Sequence, residues 1–119
     1  MKATELMIGD FIRTIYAQKI IKVREIKQSC IYTNDNGYEY NEIEPIPLTA
    51  EILEKNGFER VGTSYILKES MFELTNPSHP DRYQDIYYIR LARQNKRVMY
   101  VHKLQHFMRE FGIEKEIEL

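Results

Sequence analysis

Over the first fifty positions, apolar residues recur in short, strand-like runs. They occupy 11–16, 19–26 and 30–33, where isoleucine, valine and tyrosine concentrate. Ahead of them, Gly9-Asp10 predicts a turn feeding the first strand. Asn34-Asp35-Asn36-Gly37 predicts a hairpin, because Asn-Gly suits the positive φ of a tight turn's central positions. Residues 38–40 return from that hairpin and 43–46 complete the set. Five short strands in under fifty residues predict a small closed or nearly closed barrel of the Src-homology-3 (SH3)-like kind, since closure removes exposed edges. Alternation is imperfect at Lys19-Ile20-Ile21-Lys22-Val23-Arg24, which carries charge on both faces of the expected strand.

A joint at Pro45-Ile46-Pro47-Leu48-Thr49 divides this front from a mixed rear. Each proline locks φ and pushes the residue before it out of the α region. A short helix then carries its own signals. Thr49 suits the N-cap, Leu48 and Leu53 stand at staple positions, and Gly57 with Phe58 suits a Schellman stop against Leu53. Strands are expected at 58–61 and 65–67 around Gly62-Thr63-Ser64, at 71–74, and at 86–91 and 97–101 around a turn at Gln94-Asn95. Residues 75–81 compose a loop. Leu104, Phe107, Met108 and Phe111 recur at helical spacing before Gly112, and 113–119 alternate as a strand would. The segments around Gly57 and Gly112 echo each other, which reads as shared helix-stop chemistry rather than duplication. The expected class is α+β: a small SH3-like β-barrel over 1–48, followed by an α+β segment over 49–119 packed on it, a mixed layer of antiparallel strands and two short helices.

Composition narrows the function classes more than it selects one. The 119 residues are 43% hydrophobic and 29% charged with a net charge of −1, so global charge favours no partner class. A single cysteine, Cys30, excludes an internal disulfide and a cysteine-based zinc finger. Nothing near it offers a base or a positive field, so a packing role is expected. No apolar run approaches the ~20 residues of a membrane span, and the first residues lack a signal peptide's apolar core. A cytoplasmic protein without a membrane partner is expected. The nucleophile elbow, the phosphate-binding loop and the dinucleotide fingerprint are all missing, so no cofactor and no catalytic residue are assigned.

Several stretches stand together in order: Met1-Lys2-Ala3-Thr4-Glu5-Leu6-Met7-Ile8-Gly9-Asp10, Ile43-Glu44-Pro45-Ile46-Pro47-Leu48-Thr49, Lys55-Asn56-Gly57-Phe58-Glu59 and Tyr100-Val101-His102-Lys103-Leu104-Gln105. In this arrangement the chain resembles an uncharacterised family of small bacterial proteins associated with prophages and other mobile elements. The resemblance spans both ends and the joint but not 70–90, and it implies no activity. Members often carry asparagine where this chain has His106, which weakens any reading in which this histidine is essential.

Two local patterns suggest chemistry. His102 and His106 stand at i and i+4 of the expected C-terminal helix, a spacing that lets two rings reach one metal ion. A zincin would need glutamate immediately after the first histidine, and Lys103 stands there. A third ligand would come from His79, Asp81 or Asp85, and the bland alternative is two surface histidines. The second pattern is 86–109, which holds Arg90, Arg93, Lys96, Arg97, Lys103 and Arg109 with no Asp or Glu, and interleaves Tyr87, Tyr88 and Tyr100. Cations for the backbone and rings for the bases are what single-stranded nucleic acid requires. The sequence therefore points to a non-enzymatic binding module with a protein or nucleic-acid partner, using Tyr88, Arg90, Arg93, Lys96, Arg97 and Tyr100. The alternative is a small metal-dependent hydrolase using His102 and His106.

Overall fold

The computed structural model describes residues 1–76, 87–91 and 94–119. The chain is α+β, with antiparallel sheets and, among the described residues, two α-helices. It divides into two compact units: Met1–Ile46 with Tyr100–His102, and Pro47–Met99 with Lys103–Leu119. No described helix is long and apolar enough to cross a membrane.

The first unit holds two three-stranded sheets. One has the order β2-β1-β6, built from β1 (Phe11–Thr14), β2 (Ile20–Lys22) and β6 (Ile43–Glu44). The other has the order β3-β4-β5, built from β3 (Glu25–Ile26), β4 (Cys30–Tyr32) and β5 (Gly37–Glu39). The single run expected over 19–26 is thus two strands. Val23 accounts for the break: its carbonyl accepts from Gly9 N–H at 2.7 Å and its N–H donates to the Asp10 carbonyl at 2.9 Å. Gly9 makes that approach at φ +94, a conformation glycine takes without penalty. One residue on, Arg24 N–H donates to the Tyr32 carbonyl at 2.8 Å and ties β2–β3 to β4. Among the described residues these ladders do not close into a barrel. Leu6, Ile12, Ile21, Val23, Ile31 and Ile43 form the core, with Met1, Ile26, Tyr38 and Tyr40 against it.

The β4–β5 hairpin corrects the expected turn. Neither Asn36 nor Gly37 has positive φ. Instead Thr33 N–H donates to the Asn36 carbonyl at 2.8 Å, and the Thr33 hydroxyl accepts from the Asp35 and Asn36 N–H groups at 3.3 and 3.2 Å. Threonine's own side chain thus closes a longer loop. Gly37 is needed for another reason: a Cβ there would lie 2.8 Å from Tyr32 Cε1, in the opposite strand. Gly37→Ala is expected to push the Tyr32 ring away from Lys27, whose Nζ lies 5.4 Å from its centroid, and to cost about 1 kcal/mol. Urea denaturation measures this; an unchanged midpoint would mean that the half-exposed ring swings aside freely.

The second unit is a five-stranded antiparallel sheet, β11-β10-β9-β8-β7, with two helical segments. Its strands are β7 (Glu59–Val61), β8 (Ser64–Leu67), β9 (Phe72–Thr75), β10 (Tyr87–Leu91) and β11 (Gln94–Val98). The turn expected at Gln94-Asn95 is not there, because both residues belong to β11, opposite Leu91 and Arg90. The expected strand over 97–101 ends at Val98, since Val101 N–H turns to the Ile46 carbonyl (2.9 Å) and begins a helix. Tyr65, Leu67, Phe72, Leu74, Tyr87, Ile89 and Val98 are buried. Edge-to-face pairs join Phe58 to Phe72, Phe72 to Phe111 and Tyr65 to Tyr87 at 6.2, 5.4 and 5.8 Å.

Helix α1 (Ala50–Lys55) follows its local signals closely. Thr49 Oγ1 accepts from Ile52 N–H at 3.3 Å, and Leu48 and Leu53 are fully buried. At the other end Gly57 takes φ +87, Phe58 N–H donates to the Leu53 carbonyl and Gly57 N–H to that of Glu54, a Schellman stop. Helix α2 (Val101–Glu110) ends the same way: Gly112 has φ +73 and Ile113 N–H donates to the Met108 carbonyl at 2.8 Å.

Residues 113–119, expected as a strand, form none. Ile117 is buried between exposed Glu116 and Glu118, but Lys115 is exposed as well, so the alternation is partial. The partner is a side chain rather than a strand. Asn56, itself buried, donates from Nδ2 to the Glu118 carbonyl at 2.8 Å and accepts the Glu118 N–H on Oδ1 at 2.7 Å.

Candidate functional site

Of the basic stretch, Lys96 and Arg97 stand on β11, at the edge of the second unit's sheet. Strand alternation turns Tyr87 inward, where it is fully buried against Tyr65, and leaves Tyr88 half-exposed on the other face. Arg97 stands directly across from Tyr88 and is exposed. Beyond Tyr88 the same transverse row continues through Thr75, Ser64 and Val61, one residue from each strand. All five are exposed or half-exposed.

Lys96, next to Arg97 on the outermost strand, is exposed and pairs in register with Ile89. Charges at such an edge also discourage pairing with another chain's strand. The row behind carries Glu73, Ile66 and Glu59, so the face is mixed in charge, although Glu59 is engaged by Lys68 at 2.7 Å. Chemically, the row offers a ring for stacking and a guanidinium for a phosphate, with hydroxyls from Thr75 and Ser64 for further hydrogen bonds.

Not every expected residue joins this row. Arg93 lies outside the described residues, and Arg90 contributes its backbone opposite Asn95. Tyr100 belongs to the first unit, where it is half-buried and stacked on His102, with ring centroids 6.0 Å apart and planes 19° from parallel. Lys103 is half-buried and Arg109 exposed, both on α2.

The histidines differ from a surface pair. His102 is buried at 1% exposure, because α2 begins at Val101 and its first turn faces inward, whereas His106 is half-buried. Among the described residues no three His, Cys, Asp or Glu side chains gather as a metal site would require. The third-ligand candidates His79, Asp81 and Asp85 lie outside the described residues.

Cys30 is half-buried rather than a core residue. The hydrogen bond between its side chain and Tyr32, then Coulomb repulsion from it, hold the Tyr32 phenol above its ordinary range. In the same unit Gln18 and Arg13 hydrogen-bond Glu44 Oε1 at 2.9 and 2.7 Å and hold its carboxyl below the usual range.

A cavity of about 410 Å³ in the second unit is lined by Met71, Phe72, Ile89, Phe111 and Ile113 among others. Met71 at φ +57 and Phe111 are exposed beside it. Compared with known protein families, with curated proteins and with solved structures, the chain finds no match.

Proposed function

We propose that the chain is a non-enzymatic binding module of a prophage or other mobile element, working in the cytoplasm, and that its partner is single-stranded nucleic acid. The observation that carries this reading is the placement of exposed Arg97 directly across from half-exposed Tyr88 on the open face of the second unit's sheet. One supplies charge to a phosphate and the other a ring to a base. The origin in a mobile element rests on the sequence resemblance. The first unit is a small SH3-like barrel in this reading. Its support is the strand order β6-β1-β2 followed by β3-β4-β5, the direct run of β2 into β3, and the single helical turn Tyr40–Glu42 ahead of β6.

The test is salt-dependent binding of a short oligodeoxythymidylate. If three cations engage phosphates, the log–log salt slope is about −2, since each contact on a single strand contributes roughly −0.7. Lys96→Gln with Arg97→Gln is expected to flatten that slope by about 0.7, from Arg97 alone because Lys96 shares the face of buried Ile89, and to leave the melting temperature unchanged, because exposed edge charges add little stability. Tyr88→Ala is expected to remove a salt-insensitive ~1–3 kcal/mol. A protein that binds no oligonucleotide at low salt would sink the reading in favour of a protein partner.

A further inference from the structure

The first unit carries a second concentration of positive charge. Residues 15–24 contain Lys19, Lys22 and Arg24 with no Asp or Glu. As a sequence this run breaks strand alternation, but the fold resolves it. Ile21 and Val23 are buried, which turns Lys22 and Arg24 to the opposite side together, while Lys19 precedes the strand in the β1–β2 turn. All three line a concavity of about 140 Å³ whose far wall is Thr33, Asn34 and Asp35 of the β4–β5 loop.

We propose that this concavity binds a phosphate group of single-stranded nucleic acid. The volume accommodates one phosphate, and Lys19 and Arg24 against the single carboxylate of Asp35 leave the rim positive. Lys19 and Arg24 are exposed, so a phosphate meets them without displacing core side chains. Aromatic surface adjoins the charge. Phe11 lies under Lys22 Nζ at 5.5 Å, Tyr32 is 38% exposed and tied through its carbonyl to Arg24 N–H, and Tyr16 is 92% exposed in the turn that carries Lys19. Free phosphate has no use for these rings, whereas a nucleic-acid strand stacks its bases on them. The site shares only its class of partner with the sheet of the second unit and rests on its own residues.

The experiment follows the full chain by amide NMR and fluorescence anisotropy with a short oligodeoxythymidylate. Lys19→Gln with Arg24→Gln is compared with Lys96→Gln with Arg97→Gln. Binding to the first variant is expected to weaken about tenfold at low salt and its salt slope to flatten by about 1.4. The oligonucleotide is expected to shift the amides of 33–35 in the parent and not in this variant. Unchanged affinity in Lys19→Gln/Arg24→Gln alongside a loss in Lys96→Gln/Arg97→Gln overturns the concavity and keeps the sheet. The reverse pattern keeps the concavity and removes the sheet. Inorganic phosphate that shifts the amides of 33–35 where the oligonucleotide does not overturns the nucleic-acid assignment. An oligonucleotide bound by no form of the protein overturns both.

Discussion

Asn56→Leu is expected to lower stability by about 3 kcal/mol. The side chain makes three hydrogen bonds from a buried position: to the Ile52 carbonyl at 2.8 Å, and to the carbonyl and N–H of Glu118 at 2.8 and 2.7 Å. Each such bond contributes roughly 1 kcal/mol net. Leucine is of similar size but satisfies none of them. It also frees the tail that carries buried Ile117. Chemical denaturation reads the total, and amide exchange at Glu118 separates the causes. Asn56→Asp keeps an acceptor for the Glu118 N–H but sets a buried carboxylate oxygen against the Ile52 and Glu118 carbonyls, so it should destabilise at least as much as Asn56→Leu. Full protection of the Glu118 amide in Asn56→Leu would show that something else holds the tail.

Gly57→Val is expected to cost about 2 kcal/mol. At φ +87 an L-residue with a branched Cβ meets the penalty of the left-handed region, on the order of 1–2 kcal/mol. The added Cβ would also stand 3.0 Å from Lys115 Nζ, a minor obstacle because a lysine tip moves readily. What remains is damage to the stop itself, where Phe58 N–H reaches back to Leu53 at 3.0 Å. Gly57→Asn should be milder, since asparagine tolerates this conformation. Equal melting temperatures for wild type and Gly57→Val would mean that the backbone at 57 readily adopts another conformation.

These two positions are neighbours, yet only one was legible in the sequence. Thr49, Gly57 and Phe58 act within a few residues of each other, so their chemistry is written locally. Asn56 acts across 62 residues, on a backbone group that carries no sequence signature. For the same reason the tail was misread. A period-2 pattern of apolar residues at Ile113, Ile117 and Leu119 describes any extended segment lying on a core, whether a strand or one amide holds it. Gly37 was recognised but for the wrong cause: its lack of a Cβ serves the Tyr32 ring rather than a positive φ.

The candidate site divides along similar lines. The cationic run over 86–109 is visible in composition, but which members share a face depends on register. Register joined Tyr88 to Arg97 and left Tyr100 with the other unit. Buried His102 shows the converse, since helical spacing says where two rings could meet and not which side of the helix meets the core. The cations of 15–24 are equally visible, but in the sequence they stand out only as a break in alternation. The concavity they share exists only because the fold brings the loop at 33–35 against them.

The return of Tyr100–His102 to the first unit has a consequence for how the protein is made. Neither unit is a continuous stretch of chain, so translation cannot deliver one finished before the other begins. After Ile46 leaves the ribosome, the carbonyl that receives Val101 N–H waits for the intervening residues to be synthesised. At about 5–20 residues per second that interval is roughly 3 to 11 seconds. During it the nascent first unit has all its strands but lacks a piece of its own structure.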